Sequence, residues 1–413
     1  MRRLLVSAIA LAALAVAAQA AAAPSVRYGI QDDAWLEYGP GTLDARVGEL
    51  KALGVDVVRV TLNWRQIEPR KGVDSWSRSD ALLRSLRSHG IAPLVTLYGT
   101  PRWANGGRSE NWAPTSKWTF AGFAGRVAKR YPFVRLWTIW NEPNQRRWLR
   151  PTSPGVYTQR LLNPAYAAIH RASRHSVVAG GVTAPRAATG GISPVAWIAG
   201  MKQAHARLDA YAHNPYPLRR GETPTSGGCG HCTTITMATL QRLLDDVRRA
   251  FGTRTRIWLT EYGYQTNPPD RLLGVSYAEQ ARYVAAGALR AYLAPRVDIL
   301  VHYLVRDEPA VGRWQSGLFT VRGFAKPAAQ AFRMPLTVAA RRGLRTTLWG
   351  QVRPGGRSTF RLQQFRGGGW QTVGVYRTSA HGFFQRTVRA GAGARFRIWS
   401  PILHEASPVV VAP

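Results

Sequence analysis

Two glutamates in the sequence lie at the ends of apolar segments that are rich in aromatic residues. Glu142 follows segment 136–141, and Glu261 ends segment 257–261. Two carboxyl groups of a protein can together hydrolyse an acetal. One protonates the departing oxygen, while the other, as a carboxylate, attacks the anomeric carbon. In the retaining form of this reaction the two groups lie about 5–5.5 Å apart. We therefore predict Glu142 as general acid/base and Glu261 as nucleophile.

The two roles require different surroundings for two identical side chains. Apolar surroundings raise the pKa of a carboxyl group, which would keep Glu142 protonated. Glu261 must stay ionised, and Arg59 in another apolar segment is the candidate cation. Simpler interpretations stay open: Glu142 as a surface carboxylate at a turn, Glu261 in a structural ion pair, and Arg59 paired with Asp56 or Glu68.

The elements that must position these residues alternate regularly between residues 26 and 332. Short apolar strands are predicted at 26–31, 57–63, 91–98, 136–141, 177–182, 208–214, 257–261 and 299–305. Helices are predicted at 43–53, 79–89, 118–130, 155–174, 195–206, 237–251, 277–294 and 326–332. Such alternation indicates parallel strands joined by helices. Eight strand–helix units in succession favour a closed (β/α)8 barrel, the TIM barrel, over an open doubly wound sheet.

Local signals support the helix ends, and the barrel brings the two glutamates together. Ser276 and Glu279 form a capping-box pattern before a helix, and Gly54 and Gly90 follow two helices as left-handed caps do. Active sites of such barrels lie at the carboxyl ends of the strands. The glutamates would end strands four and seven, which face each other across the barrel.

The sequence pattern changes after residue 334. Residues 336–413 lack helical periodicity and alternate short apolar runs with glycine-rich turns. This pattern predicts a small all-β domain, sandwich-like in form. We therefore predict a signal peptide at 1–23, a (β/α)8 domain at 24–334 and a small β-domain at 335–413.

The barrel segment resembles clan A of the glycoside hydrolases, whose members are retaining (β/α)8 barrels. The resemblance rests on Asn141-Glu142-Pro143 after strand four and on Glu261 at the end of strand seven. It extends to residues 64–69 and 100–103, after strands two and three. The arrangement is similar to that of family 39 and of the cellulase-like family 5, and family 39 also has a small β-domain after the barrel.

The resemblance implies roles for residues around the two glutamates. Asn141 would hydrogen-bond the sugar 2-hydroxyl, and Arg59 would lie near the nucleophile. His213 and Tyr216, at the end of strand six, would orient the nucleophile and line the sugar site. Ordinary packing remains the alternative for both of these residues.

Aromatic side chains at strand ends are candidate sugar-stacking surfaces. Trp64 and Trp103 lie in loops where stacking on a sugar would explain them, although loop packing explains them equally well. Clan A enzymes often place a tryptophan at the end of strand eight, and this sequence departs from that pattern. Tyr303 or Trp314 would have to take its place.

The composition limits which partners can be expected. The formal net charge is +34, from 50 Arg and 6 Lys against 22 acidic residues. The arginines are scattered along the chain, whereas nucleic-acid binders concentrate basic residues on one surface, so we predict no specific nucleic-acid partner. Seven arginines fall in loops at the predicted catalytic face: Arg102, Arg108, Arg146, Arg147, Arg150, Arg219 and Arg220. They favour an anionic glycan, although the general arginine bias is a simpler explanation.

The N-terminus has the layout of a secretory signal. Arg2 and Arg3 precede an apolar run that ends near Ala18-Gln19-Ala20, a small-residue cleavage pattern. The run is too short to span a bilayer. We predict a secreted protein without an integral membrane segment after the signal is removed; a retained N-terminal anchor is the alternative.

The two cysteines, Cys229 and Cys232, lie three residues apart in a glycine-rich loop. In an exported protein this spacing favours a local disulfide. A redox pair would require the start of a helix after a strand, and a zinc site would require a second ligand pair. We therefore predict neither a metal site nor a cofactor.

Together these patterns predict hydrolysis of a β-linked polysaccharide or oligosaccharide with retention at the anomeric carbon. Three alternatives remain: a carbohydrate-binding protein on an inactive barrel, a polyanion-binding cell-wall protein, and a transglycosylase that uses the same two glutamates.

Overall fold

The computed structural model describes residues 25–413. The predicted signal peptide at 1–23 lies outside the described residues, so both it and secretion stay predictions. Within the described part of the chain, no helix has the length and apolar character needed to cross a membrane.

Eight parallel strands close into a barrel in chain order, with β8 pairing with β1. This confirms the predicted (β/α)8 architecture. The strands are β1 Arg27–Gln31, β2 Val57–Asn63, β3 Ala92–Tyr98, β4 Leu136–Ile139, β5 Val177–Thr183, β6 Ala210–His213, β7 Arg256–Tyr262 and β8 Val297–Tyr303.

Helices connect these strands around the outside of the barrel. They are α1 Asp33–Tyr38, α2 Leu43–Ala52, α3 Trp64–Ile67, α4 Ser77–Ser88, α5 Lys117–Arg130, α6 Pro154–Val156, α7 Asn163–Ala172, α8 Pro194–Gln203, α9 Leu240–Phe251, α10 Tyr277–Leu293 and α11 Pro327–Arg333. The short helices α1 and α3 were not predicted. The helix predicted at 155–174 is divided by a π-helical segment, Tyr157–Leu162, between α6 and α7.

Two apolar layers hold the barrel together. Side chains inside it form a small cluster in which Ala179, Ala210 and Ala212 leave room for the large ring of Trp258. A larger layer packs the strands against the surrounding helices. The predicted helix ends are also present, because Ser276 and Glu279 form the capping box of α10.

After α11 the chain forms antiparallel sheets, as predicted. One sheet has the order β13-β10-β9, and the other has the order β12-β11-β14-β15 with β16 added to β14. Their strands are β9 Leu336–Arg342, β10 Arg345–Gln351, β11 Thr359–Arg366, β12 Gly369–Arg377, β13 Phe383–Arg389, β14 Arg395–Ser400, β15 Glu405–Ala406 and β16 Val410–Val411. A separate apolar cluster, including Leu348, Phe360 and Phe396, lies between the sheets.

Candidate active site

Glu142 occupies a sharp turn at the carboxyl end of β4. The strand ends at Ile139, two residues earlier than predicted, and Trp140 and Glu142 then adopt left-handed backbone conformations with φ of 72° and 38°. Such conformations cost energy in residues other than glycine and cluster at functional sites. The turn is held by the Glu142 amide, which donates to Val182 O at 2.9 Å, and by the buried Trp140 indole, which donates to Trp148 O at 2.7 Å.

The surroundings of Glu142 favour its protonated form. Burial and the nearby charge of Glu261 raise the pKa of Glu142 to about 7. The Asn214 side-chain amide donates to Glu142 Oε1 at 3.1 Å and offsets part of this shift. A large fraction of Glu142 is therefore protonated near neutral pH, as a general acid must be.

Glu261 has charge-compensating partners instead. It lies near the carboxyl end of β7 and is 8% exposed. Arg59 Nη1 donates to Glu261 Oε1 at 2.5 Å, and the Tyr216 hydroxyl donates to Oε2 at 3.1 Å. Burial, followed by the charge of Glu261, raises the pKa of Tyr216 well above its usual value, so this hydroxyl keeps the proton that it donates.

Arg59 lies in β2 and is fully buried, so it does not belong to a surface ion pair. Its guanidinium also donates to Gln31 Oε1 at 2.7 Å, Thr96 Oγ1 at 3.0 Å and Asn141 Oδ1 at 2.8 Å. These contacts join β1, β2, β3 and the turn after β4. The predicted contact with Glu261 is present, and the alternatives Asp56 and Glu68 are not its partners.

Asn214 links the surroundings of the two glutamates. It is fully buried directly after β6, and its amide nitrogen contacts Glu142 while its carbonyl accepts from Thr260 Oγ1 at 2.8 Å. Thr260 directly precedes Glu261 in β7. Through this chain of contacts, β4, β6 and β7 hold the two carboxyl groups in one site.

A pocket of about 310 Å³ opens beside Glu142. Its apolar walls include Trp148, Leu218 and Leu273, and its charged lining besides Glu142 consists of arginines. The loops that follow β4 to β8 contribute to it. Pockets of this size, with mostly apolar walls and a few polar groups, are typical of small-ligand sites.

Three aromatic side chains form one wall of the site. The Tyr216 ring lies 4.6 Å from the Trp314 ring and 6.1 Å from the Tyr303 ring, between ring centres. Tyr303 and Trp314 also contact each other at 5.5 Å. The structure thus brings Tyr303 and Trp314 next to Tyr216. These are the two residues predicted to take the place of the tryptophan that clan A enzymes often have at the end of strand eight.

Two residues that the sequence predicts to bind substrate, His213 and Trp64, are buried away from the site surface. His213 is fully buried, and its ring nitrogens contact Thr183 Oγ1 at 2.8 Å and Ile235 O at 3.0 Å. Burial lowers the pKa of His213 to about 4, so its ring is neutral near pH 7. Trp64 is also fully buried, and its indole donates to Glu68 Oε2 at 2.7 Å. Neither side chain has a surface that a sugar can reach.

Trp103 lies against Trp64 in an edge-to-face contact of 5.5 Å between ring centres. It is half-buried, and its indole donates to Glu68 O at 3.0 Å. Its role in substrate binding stays a prediction. The two cysteines are brought together, with Cα atoms of Cys229 and Cys232 5.5 Å apart, a distance that a disulfide spans.

Of the seven arginines predicted at the catalytic face, Arg147 and Arg219 line the pocket. Arg186, which was not predicted, also lines it. Asn214 and Gln31 were not predicted as site residues either. Both lie at strand ends, so the rule that indicated the glutamates would also have indicated these amides.

The fold is similar to those of solved glycoside hydrolase structures. A family 39 glycoside hydrolase from Bacteroides cellulosilyticus WH2 matches with a TM-score of 0.62 and 17% identity, over 88% of this chain and 79% of that chain. A family 39 enzyme from Xanthomonas axonopodis pv. citri matches with a TM-score of 0.55 and 14% identity, over 88% and 92%. A glucosidase from Croceicoccus marinus matches with a TM-score of 0.58 and 12% identity, over 88% and 93%.

The predicted likeness to clan A, and to family 39 within it, is thus confirmed for the fold. No protein-family model and no curated protein matches the sequence.

Proposed function

We propose that this protein is a secreted retaining glycoside hydrolase that cleaves a β-linked glycan or glycoside. One observation carries the proposal: two glutamates at the ends of β4 and β7 share a site but have opposite surroundings. Glu142 has a pKa raised to about 7, whereas Glu261 is paired with Arg59 and Tyr216. Two carboxyl groups made different by their neighbours supply the acid and the nucleophile of acetal hydrolysis.

In the first step the Glu142 carboxyl proton passes to the glycosidic oxygen. Glu261 attacks the anomeric carbon, so one carbon–oxygen bond forms as the bond to the leaving group breaks. Water then attacks the same carbon, Glu142 takes its proton, and the Glu261 carboxylate is released. Protons and water balance both steps, so the mechanism calls for no metal and no cofactor.

The charge of Glu261 supports a change in the role of Glu142 from acid in the first step to base in the second. The negative charge of Glu261 is the second-largest cause of the raised pKa of Glu142. Bond formation with the sugar removes that charge. The pKa of Glu142 then falls, and the group becomes ready to accept a proton from water.

The side-chain amide of Asn141 is oriented to contact the sugar. Its carbonyl oxygen accepts from Arg59 at 2.8 Å, which fixes the direction of the amide. The amide nitrogen is then the group that we expect to donate to the sugar 2-hydroxyl, as the resemblance to clan A implies. Tyr303 and Trp314 would contact the sugar beside Tyr216.

The pocket favours an acidic substrate. Arg147, Arg186 and Arg219 line it, and none of the three pairs with a carboxylate in the described part of the chain. A uronate would supply that partner through charge-assisted hydrogen bonds. We expect Arg147→Gln and Arg219→Gln to lower kcat/KM for an acidic glycoside about tenfold or more while changing that for its neutral counterpart little. Equal losses on both substrates would contradict an acidic preference.

Turnover of aryl glycosides and β-linked polysaccharides tests the proposal. We expect hydrolysis by the native protein and losses of at least about a thousandfold in Glu142→Gln and Glu261→Gln on substrates with poor leaving groups. Glu110→Gln, at a glutamate outside the pocket, is the matched control. Activity that survives in Glu261→Gln would contradict the proposal, and binding without turnover by the native protein would favour the inactive-barrel alternative.

A further inference from the structure

A second groove lies on the outside of the barrel, apart from the catalytic pocket. Its volume is about 510 Å³, and it runs between the start of α5 and the segment that joins α6 to α7. Its lining includes Thr115, Lys117, Trp118, Gln159, Arg160 and Asn163. These residues share none with the lining of the catalytic pocket.

Trp118 is the unusual member of this lining. It is 71% exposed, whereas six other tryptophans are among the largest fully buried side chains of the protein. An exposed indole leaves a large apolar surface in water, and contact with a partner would remove that cost. The flat ring forms an apolar wall beside the polar groups of Gln159 and Arg160, the combination of surfaces that a sugar ring contacts.

The opposite wall of the groove has an irregular backbone. Gln159 and Arg160 lie in the π-helical segment Tyr157–Leu162, which interrupts what the sequence predicts as one helix. π-helical turns are rare and occur frequently at functional sites. Both side chains are exposed here. The π-helical segment therefore directs a polar amide and a cation to the groove.

The position and charge of the groove fit a substrate chain. Thr115, Lys117 and Trp118 lie at the start of α5, which follows the loop after β3, so this part of the groove lies toward the end of the barrel where Glu142 lies. The charged groups that line it are Lys117 and Arg160, with no acidic residue among its lining. Neither of these two cations forms an ion pair within residues 25–413.

We propose that the Trp118 groove is a secondary binding site for a glycan chain, which holds the polymer near the catalytic pocket. Trp118 stacks on a sugar ring, and Gln159 and Arg160 hydrogen-bond its hydroxyl or carboxylate groups. The identity of the ligand as a glycan rests on the proposed function. The groove itself performs no chemistry, so binding and hydrolysis can be measured separately.

The test compares the binding of charge-matched variants to polysaccharides. In a Glu261→Gln background, retention is measured on cellulose, xylan, β-1,4-mannan and poly-β-1,4-mannuronate, the last two differing by a carboxylate. Trp118→Ala leaves the net charge unchanged, so general attraction of this basic protein to polyanions is not altered. Tyr38→Ala removes an aromatic ring that is 75% exposed outside the groove and serves as the matched control.

We expect Trp118→Ala to weaken binding to at least one polymer about tenfold, as loss of a central interface aromatic does, and Tyr38→Ala to change it little. In the active protein, Trp118→Ala should slow polymer hydrolysis but leave aryl-glycoside turnover unchanged. Equal effects of the two variants, or no retention on any polymer, would overturn the inference. Failure of the proposed function differs from this, because it would abolish aryl-glycoside turnover in the native protein.

Discussion

At the scale of single residues, Glu142 and Glu261 have identical side chains but different neighbours, and the neighbours determine which of the two is protonated. Burial and the negative charge of Glu261 raise the pKa of Glu142. An arginine and a phenol contact Glu261. In the proposed mechanism, the same side chain therefore donates a proton in one position and attacks carbon in the other.

The pKa of Glu142 leads to a prediction about pH. Glu142 acts as an acid only when protonated, so kcat/KM should fall as pH rises through about 7. The decline should disappear in Glu142→Gln assayed with a 2,4-dinitrophenyl glycoside, whose leaving group needs little protonation. A pH–rate profile checks this, and an unchanged alkaline decline in Glu142→Gln would assign it to another group.

A second prediction concerns Asn214, which contacts Glu142. Its hydrogen bond lowers the pKa of Glu142, so Asn214→Ala should move the alkaline decline of kcat/KM to higher pH and lower kcat about tenfold or more. Asn144→Ala is the control, because Asn144 is equally buried but bonds only backbone atoms of Ala184 and Ile192. A pH profile that shifts equally in both variants would indicate a structural effect.

The sequence predicted which residues meet in the candidate site better than it predicted the residues that support them. Glu142, Glu261 and Tyr216 lie at or just after strand ends, which converge at one end of a barrel, and that rule can be applied to the sequence. Arg59 lies earlier in its strand, β2, and its long side chain reaches Glu261. His213 lies at a strand end as well. A strand end does not reveal which way a side chain points, and His213 points into the protein.

At the scale of elements, strong periodicity predicted the barrel strands to within three residues. Departures from regular structure were not predicted, because they depend on tertiary contacts. The early end of β4 follows from the left-handed turn at Trp140 and Glu142, which is held by Val182 O. The π-helical segment before α7 is likewise invisible in the apolar pattern.

The capping box of α10 gives a prediction about stability. Ser276 accepts from the Glu279 amide, and Glu279 bonds back to the Ser276 amide at 2.9 Å. Ser276→Ala should lower the free energy of unfolding by about 1 kcal/mol and leave activity per folded molecule unchanged. Urea denaturation measures the difference. Ser77→Ala, at an exposed serine in the first turn of α4, should change stability by less than about 0.5 kcal/mol; equal losses would argue against the cap.

At the scale of the whole molecule, the β-sheets after residue 335 pack firmly on the barrel. Trp349 and Phe383 contact Tyr292 of α10, with ring centres 5.3 and 4.8 Å away. Arg353 is 1% exposed, and its guanidinium lies 3.7 Å from the centre of the Tyr28 ring in β1. No pattern in the sequence distinguishes this arginine, among 50, as one that would be buried.

This contact predicts that the β-sheets and the barrel unfold together. Arg353 donates to Phe332 O at 2.5 Å and to Gln351 Oε1 at 2.7 Å. Arg353→Ala should therefore lower the free energy of unfolding by about 3 kcal/mol, because buried acceptors lose their donor. Calorimetry should show one transition in the native protein and a lower Tm in Arg353→Ala. Arg357→Ala, at an exposed arginine, is the control, and two separate native transitions would contradict the prediction.

Azide rescue of glycine variants tests the paired roles of Glu142 and Glu261 most directly. With a 2,4-dinitrophenyl β-glycoside, Glu261→Gly should use azide as its nucleophile and form the α-glycosyl azide. Glu142→Gly should form the covalent intermediate normally and release the β-glycosyl azide. The anomeric configuration is measured by proton NMR. No azide product from either variant, or the two configurations exchanged between them, would contradict the assignment of nucleophile and acid/base.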